Sequence, residues 1–306
     1  MKHLLSIHDL SVDEVEKILD TAADLKAKLK AGIEHKILAG KSMGMIFSKS
    51  STRTRVSFET GMYQLGGHAL FLSSNDIQLG RGESIYDTAN VLSRYLDGIM
   101  IRTFEQSDVE DLAKYGSISI INGLTDLLHP CQALTDIFTA FEHKGRLKGL
   151  KLAYIGDGNN MAHSLMYAGA KVGMDVSVAS PKGYECNAEI VENAKEDAKL
   201  TGAVIDVSND PESAIKNADV VYTDTWVSMG QEEEKAKRIK DFEGYTIDEK
   251  LFSLADSEAV FMHCLPAYRG YEVTEGVIDG PHSVIFDEAE NRLHVQKAVM
   301  ALTMGD

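Results

Sequence analysis

Cysteine is scarce in this sequence. Cys131, Cys186 and Cys264 are scattered, and no CxxC pair occurs. That excludes a disulfide-stapled module and a structural zinc site, and it fits a reducing compartment such as the cytoplasm. No apolar run approaches the roughly 20 residues that a membrane span needs. Basic residues are also in deficit, with 31 Lys and Arg against 47 Asp and Glu, a formal net charge of −16. Such a surface repels nucleic acid and anionic lipid, so neither is expected as a partner. A small anion, if bound, must be held by a local basic cluster working against the global field. The pattern GxxxxGK[ST] is missing, which argues against a nucleotide triphosphatase. The first ten residues already contain Asp9, so the start does not read as a secretory signal.

What is present describes an ordinary globular α/β chain. Its 306 residues are 44% hydrophobic and 25% charged, enough for about two domains. Ser11 and Glu14 form a capping box for a first helix that Gly32 stops. Strands then alternate with helices: strand 42–48, helix 51–67, strand 68–73, helix 83–95, strand 97–102, helix 108–115, strand 117–122 and helix 131–144. After Gly145 and Gly149 the rhythm restarts with a strand at 151–157. Further strands are expected near 175–180, 203–208, 219–224, 259–263 and 283–287. This order predicts two doubly wound, Rossmann-like parallel-sheet domains, with the boundary near 145–150 and the active site in the cleft between them. The polar stretch 231–245 reads as a solvated helix or loop, with a mobile flap as a second reading.

The residues that carry chemistry fall where strands end. Ser51-Thr52-Arg53-Thr54-Arg55 follows a strand and opens a helix. A helix N-terminus offers unpaired N–H groups and the positive end of the dipole. Simple capping accounts for one hydroxyl there, not for three hydroxyls and two arginines, and together these make an anion cradle. Arg102 ends the next strand but one. His129-Pro130-Cys131-Gln132 opens a helix, with an imidazole placed to donate to an oxyanion and an amide that both donates and accepts. Gly156-Asp157-Gly158-Asn159-Asn160-Met161 approaches the dinucleotide fingerprint and fails it, because Met161 stands where the third glycine is needed. That turn leaves Asn159 and Asn160 facing the crevice. Asp224, in Asp224-Thr225-Trp226-Val227-Ser228-Met229-Gly230, is placed to hold an ammonium group, and His263-Cys264-Leu265-Pro266 and Asn291-Arg292 complete the set. Several arginines, hydroxyls and one acid suit a doubly charged anion beside a cation.

STRTR, HPCQ, DTWVSMG and HCLP, in this order and spacing, resemble the aspartate/ornithine carbamoyltransferase superfamily over essentially the whole chain. SMG and HCLP point to its ornithine branch. The resemblance implies transfer of the carbamoyl group of carbamoyl phosphate to the δ-amine of L-ornithine, giving L-citrulline and phosphate, a step of arginine metabolism. The alternative is a carbamoyltransferase for another amine or amino acid, such as putrescine. It implies a carbamoyl phosphate-binding domain at 1–147, with a C-terminal helix at about 290–306 packing back on it, and an ornithine-binding domain at 148–289. By resemblance Ser51, Thr52, Arg53, Thr54, Gln78, Arg102, His129, Pro130, Cys131, Gln132, Cys264, Leu265 and Arg292 hold carbamoyl phosphate, with Gln78 reaching over from a neighbouring subunit on a loop at 73–84. Asn160, Asp224, Ser228 and Met229 receive ornithine, and Arg53, Thr54, Arg102, His129, Asp224 and Cys264 surround the chemistry. It further implies a cytoplasmic homotrimer, or multiples of trimers, that uses no metal and no cofactor. Cys264 is not read as a nucleophile, because no base stands ready to activate it.

Overall fold

The computed structural model describes residues 1–227 and 232–305. The chain forms two compact units, one comprising Met1–Leu134 with Glu290–Asp306 and the other Thr135–Ala289.

The first unit begins with α1 (Val12–Lys30), whose capping box is formed as expected: Ser11 accepts from the Glu14 N–H, and the Glu14 carboxylate accepts from the Ser11 N–H. There follow β1 (Ser42–Phe47), α2 (Thr52–Gln64), β2 (His68–Ser73), a 3-10 turn (Gln78–Arg81), α3 (Ile85–Leu92), β3 (Gly98–Arg102), α4 (Gln106–Tyr115) and β4 (Ser119–Leu124). All pairings are parallel, in the order β2-β1-β3-β4. Ile46, Ile99, Ile101 and Ile120 from the sheet pack with Ala89, Val109 and Leu112 from α3 and α4. Helix α5 (Pro130–Lys144) begins in this unit and ends in the second.

The second unit contains β5 (Lys151–Ile155), α6 (Asn160–Val172), β6 (Asp175–Ala179), α7 (Ala188–Ala198), β7 (Ile205–Ser208), α8 (Pro211–Ile215), β8 (Val220–Tyr222), α9 (Lys235–Asp241), α10 (Glu249–Phe252), β9 (Val260–Met262) and α11 (Glu275–Ile278). Helix α12 (Ile285–Met304) starts here and finishes in the first unit. The five strands are again parallel, ordered β7-β6-β5-β8-β9. Helix α6 lies hard against the strand that follows it. A Cβ built on Gly169 would stand 2.3 Å from Val176 Cγ2 and 2.9 Å from the Met174 carbonyl oxygen.

Two expectations need correction. The strand expected at 283–287 does not form: Ser283 makes an isolated bridge to Phe261, and Ile285 already begins α12. A short apolar run such as Val284-Ile285-Phe286 carries no period that separates strand from helix. Packing divides the units at Leu134/Thr135, inside helix α5 and somewhat before the stretch 145–150 where the sequence changes rhythm. The glycines there end α5 without ending the unit. The segment 73–84 projects only in part, since its 3-10 turn packs Ile77 and Leu79 on the core.

Candidate active site

Each sheet reverses its strand order at one point, and ligands of open parallel sheets gather outside the carboxyl ends of the strands flanking that point. In the first unit the reversal lies between β1 and β3. Phe47 and Arg102 are paired neighbours at the ends of these strands, and the Ser48 N–H donates to the Arg102 carbonyl at 2.8 Å. The chain after β1 turns into α2 with Ser51 as N-cap, its hydroxyl accepting from the Thr54 N–H at 3.2 Å. Capping by Ser51 is therefore real, and it sets the three residues of the first turn in place.

Arg292, from α12, enters the same place. Its Nη2 donates to Thr54 Oγ1 at 3.0 Å and its Nη1 to Gln132 Oε1 at 2.6 Å. His129 lies among these cations and is buried. Burial, then the charges of Arg292, Arg102 and Arg53, hold its imidazole well below the ordinary histidine value. The ring is neutral, so it can offer one N–H to an oxygen without adding charge. Ser51, Thr52, Arg53, Thr54, Arg102, His129, Gln132 and Arg292 thus belong to one region of this unit.

Three sequence candidates do not join that cluster through their side chains. The buried Cys131 thiol, pushed up to about 12 mainly by burial, donates to the Asn122 carbonyl at 3.4 Å and so faces β4. Pro130 is a buried residue that starts α5. Gln78 is exposed on its 3-10 turn.

In the second unit the order reverses between β5 and β8, and Tyr154 and Tyr222 are paired neighbours there. Asn159 follows β5 and caps α6, its amide oxygen accepting from the Met161 N–H at 2.9 Å and the Ala162 N–H at 3.3 Å. Its Nδ2 donates to Asp224 Oδ2 at 3.0 Å, just past β8. Asp224 Oδ1 also accepts from the Thr225 N–H at 2.8 Å and from the Cys264 thiol at 3.2 Å. Burial, then the neighbouring Asp224, Glu288 and Asp136, push the Cys264 thiol well above its ordinary value. It is a thiol that donates, not a thiolate that attacks. Asn160 opens α6 beside this group. Ser228 and Met229 lie outside the described residues. Of the stretch 231–245, residues 232–234 form a 3-10 turn and Lys235–Asp241 form α9, whose Arg238 is buried.

The HCLP segment is held from beneath by residues that sequence reading missed. Glu288 Oε2 accepts from the His263 N–H at 2.9 Å. Glu272 Oε1 accepts from the Tyr268 N–H at 2.6 Å and lies 3.3 Å from His263 Nε2. Nδ1 of His263 accepts from the Leu265 N–H at 2.9 Å, so the ring proton sits on Nε2 and points at Glu272. These contacts hold Leu265 at φ +58°, a region that non-glycine residues seldom adopt. Glu288 lies in the acidic run Asp287-Glu288-Ala289-Glu290 and Glu272 stands close to Glu275, so nothing in the sequence separates either from an ordinary surface acid.

Ligand atoms of Asp224, His263 and Cys264 lie within 4.8 Å of one another, the one such group among the described residues. Both ring nitrogens of His263 already have partners, and the thiol keeps its proton. The donor set does not suit a metal ion. A dinucleotide would meet a further obstacle at the glycine turn. A Cβ on Gly158 would lie 2.3 Å from the Cys186 nitrogen, so the chain itself fills the space beside this glycine.

Comparison with known proteins agrees with this geometry. Residues 2–142 match the family model for the carbamoyl-P binding domain of aspartate/ornithine carbamoyltransferase, and residues 148–303 match that for its Asp/Orn binding domain. An ornithine carbamoyltransferase of Caldicellulosiruptor saccharolyticus is 60% identical over 300 residues, 98% of this chain and 97% of that one. One from Oceanobacillus iheyensis is 58% identical, covering 100% of this chain and 95% of its own. The solved ornithine carbamoyltransferase from Pyrococcus furiosus superposes with a TM-score of 0.96 at 53% identity, over 99% of this chain and 97% of that one. With both domain models matched and such identity along its length, this chain belongs to the aspartate/ornithine carbamoyltransferase family.

Proposed function

We propose that this protein is an ornithine carbamoyltransferase, taking carbamoyl phosphate and L-ornithine to L-citrulline and phosphate. The observation that carries the reading is the convergence of Arg53, Thr54, Arg102, His129, Gln132 and Arg292 at the strand-order reversal of one unit. That is a site for a dianion in a chain of net charge −16. Full-length relatives named for this activity support it.

In this reading the phosphate of carbamoyl phosphate lies against the first turn of α2. The hydroxyls of Ser51, Thr52 and Thr54 and the three arginines surround it. The neutral amine of ornithine attacks the carbonyl carbon, and negative charge develops on the carbonyl oxygen. Thr54, Arg102 and His129 are its donors. The bond from carbon to the phosphate oxygen then breaks, and the departing phosphate takes the amine proton, so no protein base of high pKa is needed. Asp224, braced by Asn159, orients the amine. Cys264 braces Asp224 in turn and, with Leu265, lies beside the carbamoyl group. Asn160, Ser228 and Met229 receive the amino-acid end. Aligning two substrates in this way is worth roughly 7–11 kcal/mol of barrier.

The remaining parts of the reading are a cytoplasmic location and a homotrimer, or multiples of it, in which Gln78 enters the site of a neighbour. No helix among the described residues is long and apolar enough to cross a membrane. The exposed residues Val56, Tyr63, Tyr86 and Tyr95 of the first unit suit self-association.

The test is a steady-state assay with ornithine, putrescine and aspartate as acceptors. Citrulline should form with a kcat/KM at least about a hundredfold above either alternative. Equal or better use of putrescine would displace the proposal in favour of a polyamine carbamoyltransferase.

A further inference from the structure

Arg292 is held on three sides. Beyond Thr54 and Gln132, the buried side chain of Gln296 stands one turn further along α12, against both Arg292 and Ser57. A guanidinium only donates, so the amide atom facing it is the oxygen. In that orientation Gln296 Oε1 accepts from Arg292 Nε and Nη2, each at 2.8 Å, and its NH2 donates to Ser57 Oγ. The Ser57 hydroxyl in turn lies 2.7 Å from the Arg53 carbonyl and 3.2 Å from that of Thr54. A continuous path therefore runs from the guanidinium of Arg292, through Gln296 and Ser57, to the backbone of the first turn of α2.

These three acceptors, Thr54, Gln132 and Gln296, are all uncharged. They fix the plane of the guanidinium without cancelling its charge. A carboxylate in the position of Gln296 would grip the same two N–H groups but would neutralise the cation that the phosphate needs. A purely apolar residue would leave the charge and lose the orientation.

We propose that Gln296 is a positioning residue of the phosphate site. It is a neutral brace that aims Arg292 and, through Ser57, keeps it in register with the α2 turn that carries Arg53 and Thr54. The inference rests on the reading of this cluster as the carbamoyl phosphate site, and it adds a residue that does not itself touch the substrate.

The test compares Gln296→Leu, Gln296→Glu and Arg292→Met with the wild type in citrulline formation. It reads KM for each substrate and Ki for inorganic phosphate. Gln296→Leu should raise the carbamoyl phosphate KM and the phosphate Ki by about tenfold each, the effect of losing a charge-assisted contact. The ornithine KM should stay within about twofold, a split that a merely structural role would not give. Gln296→Glu, which fills the same space, should also raise the phosphate Ki, and more steeply at low salt, where charge cancellation is least screened. Values of carbamoyl phosphate KM and phosphate Ki within twofold of wild type in Gln296→Leu overturn the proposal, as do equal rises in both KM values. Should Gln296→Leu fail to fold, Gln296→Glu decides, and an unchanged phosphate Ki there overturns it. Arg292→Met separates this inference from its foundation. If that variant loses carbamoyl phosphate affinity while Gln296→Leu keeps it, only the brace is wrong. If Arg292→Met keeps it, the phosphate-site reading fails as well.

Discussion

His129 shows how one side chain is set by its surroundings. Burial and three nearby arginines depress its protonation, and the depression has two consequences. First, the imidazole of the free enzyme should stay neutral as pH falls through 6.5, the ordinary histidine value. A ring-proton NMR titration with His129 assigned should therefore show no inflection near 6.5, and a normal inflection would contradict the described site. Second, the unfolded chain takes up a proton below 6.5 that the folded site refuses, so stability falls as pH drops from 6.5 toward the lower folded value. His294, buried and lowered to about 4 chiefly by burial, adds to the loss over the window from 6.5 to 4. The residues of this cluster were legible in sequence to different degrees. STRTR is a run of five, and its placement between a strand and a helix declares its chemistry. Gln296 is a lone amide in the middle of a helix, and nothing local separates it from a surface glutamine. Only the fold brings it to Ser57, 239 positions away.

Among the elements, α6 and β6 are closely packed at Gly169. Ala has the better helix propensity, by about 1 kcal/mol, so on an isolated helix Gly169→Ala would stabilise. Here the new methyl would meet Val176 and a backbone carbonyl that cannot move aside cheaply. The expected net effect is a loss of about 1–3 kcal/mol, read from chemical denaturation midpoints. A gain in stability would mean that the helix and the strand separate more easily than the distances imply. Element order was readable because helices with a 3.6-residue apolar period alternate with short apolar strands. The 283–287 segment was misread for the same reason that its neighbours were read correctly: a short apolar run after a turn looks like a strand. Beyond Glu288 the helix is enclosed on nearly every side, with Asn291, Arg292 and every residue from His294 to Met300 buried, so no amphipathic period announces it. The glycines at 145 and 149 lie at the gap between the two matched domain models, 2–142 and 148–303, while packing groups most of α5 with the second unit.

For the molecule as a whole, the proposal of a shared site is testable without any further structure. Gln78→Ala and Arg53→Ala are each expected to lose most activity, since one removes a donor from a neighbour's loop and the other a charge contact in the transition state. Mixed under conditions that exchange subunits, they should regain a fraction of wild-type activity, because some hybrid sites then hold both native residues. Full activity of Gln78→Ala alone, or a mixture that stays dead despite proven exchange, would remove Gln78 from the site.

The path of the chain also imposes a timetable. The first unit is built from Met1–Leu134, but Arg292 and Gln296 reach it only with Glu290–Asp306, after the 155 residues of the second unit. At a synthesis rate of ~5–20 residues per second, roughly 8–30 s pass between the synthesis of Gln132 and that of its partner arginine, and longer for Thr54. If this cluster is the phosphate site proposed above, the growing polypeptide carries for that interval most of an anion site that lacks its last cation. On that reading the enzyme is inert until its last helix is made, and a chain abandoned partway by the ribosome has no complete place to hold carbamoyl phosphate.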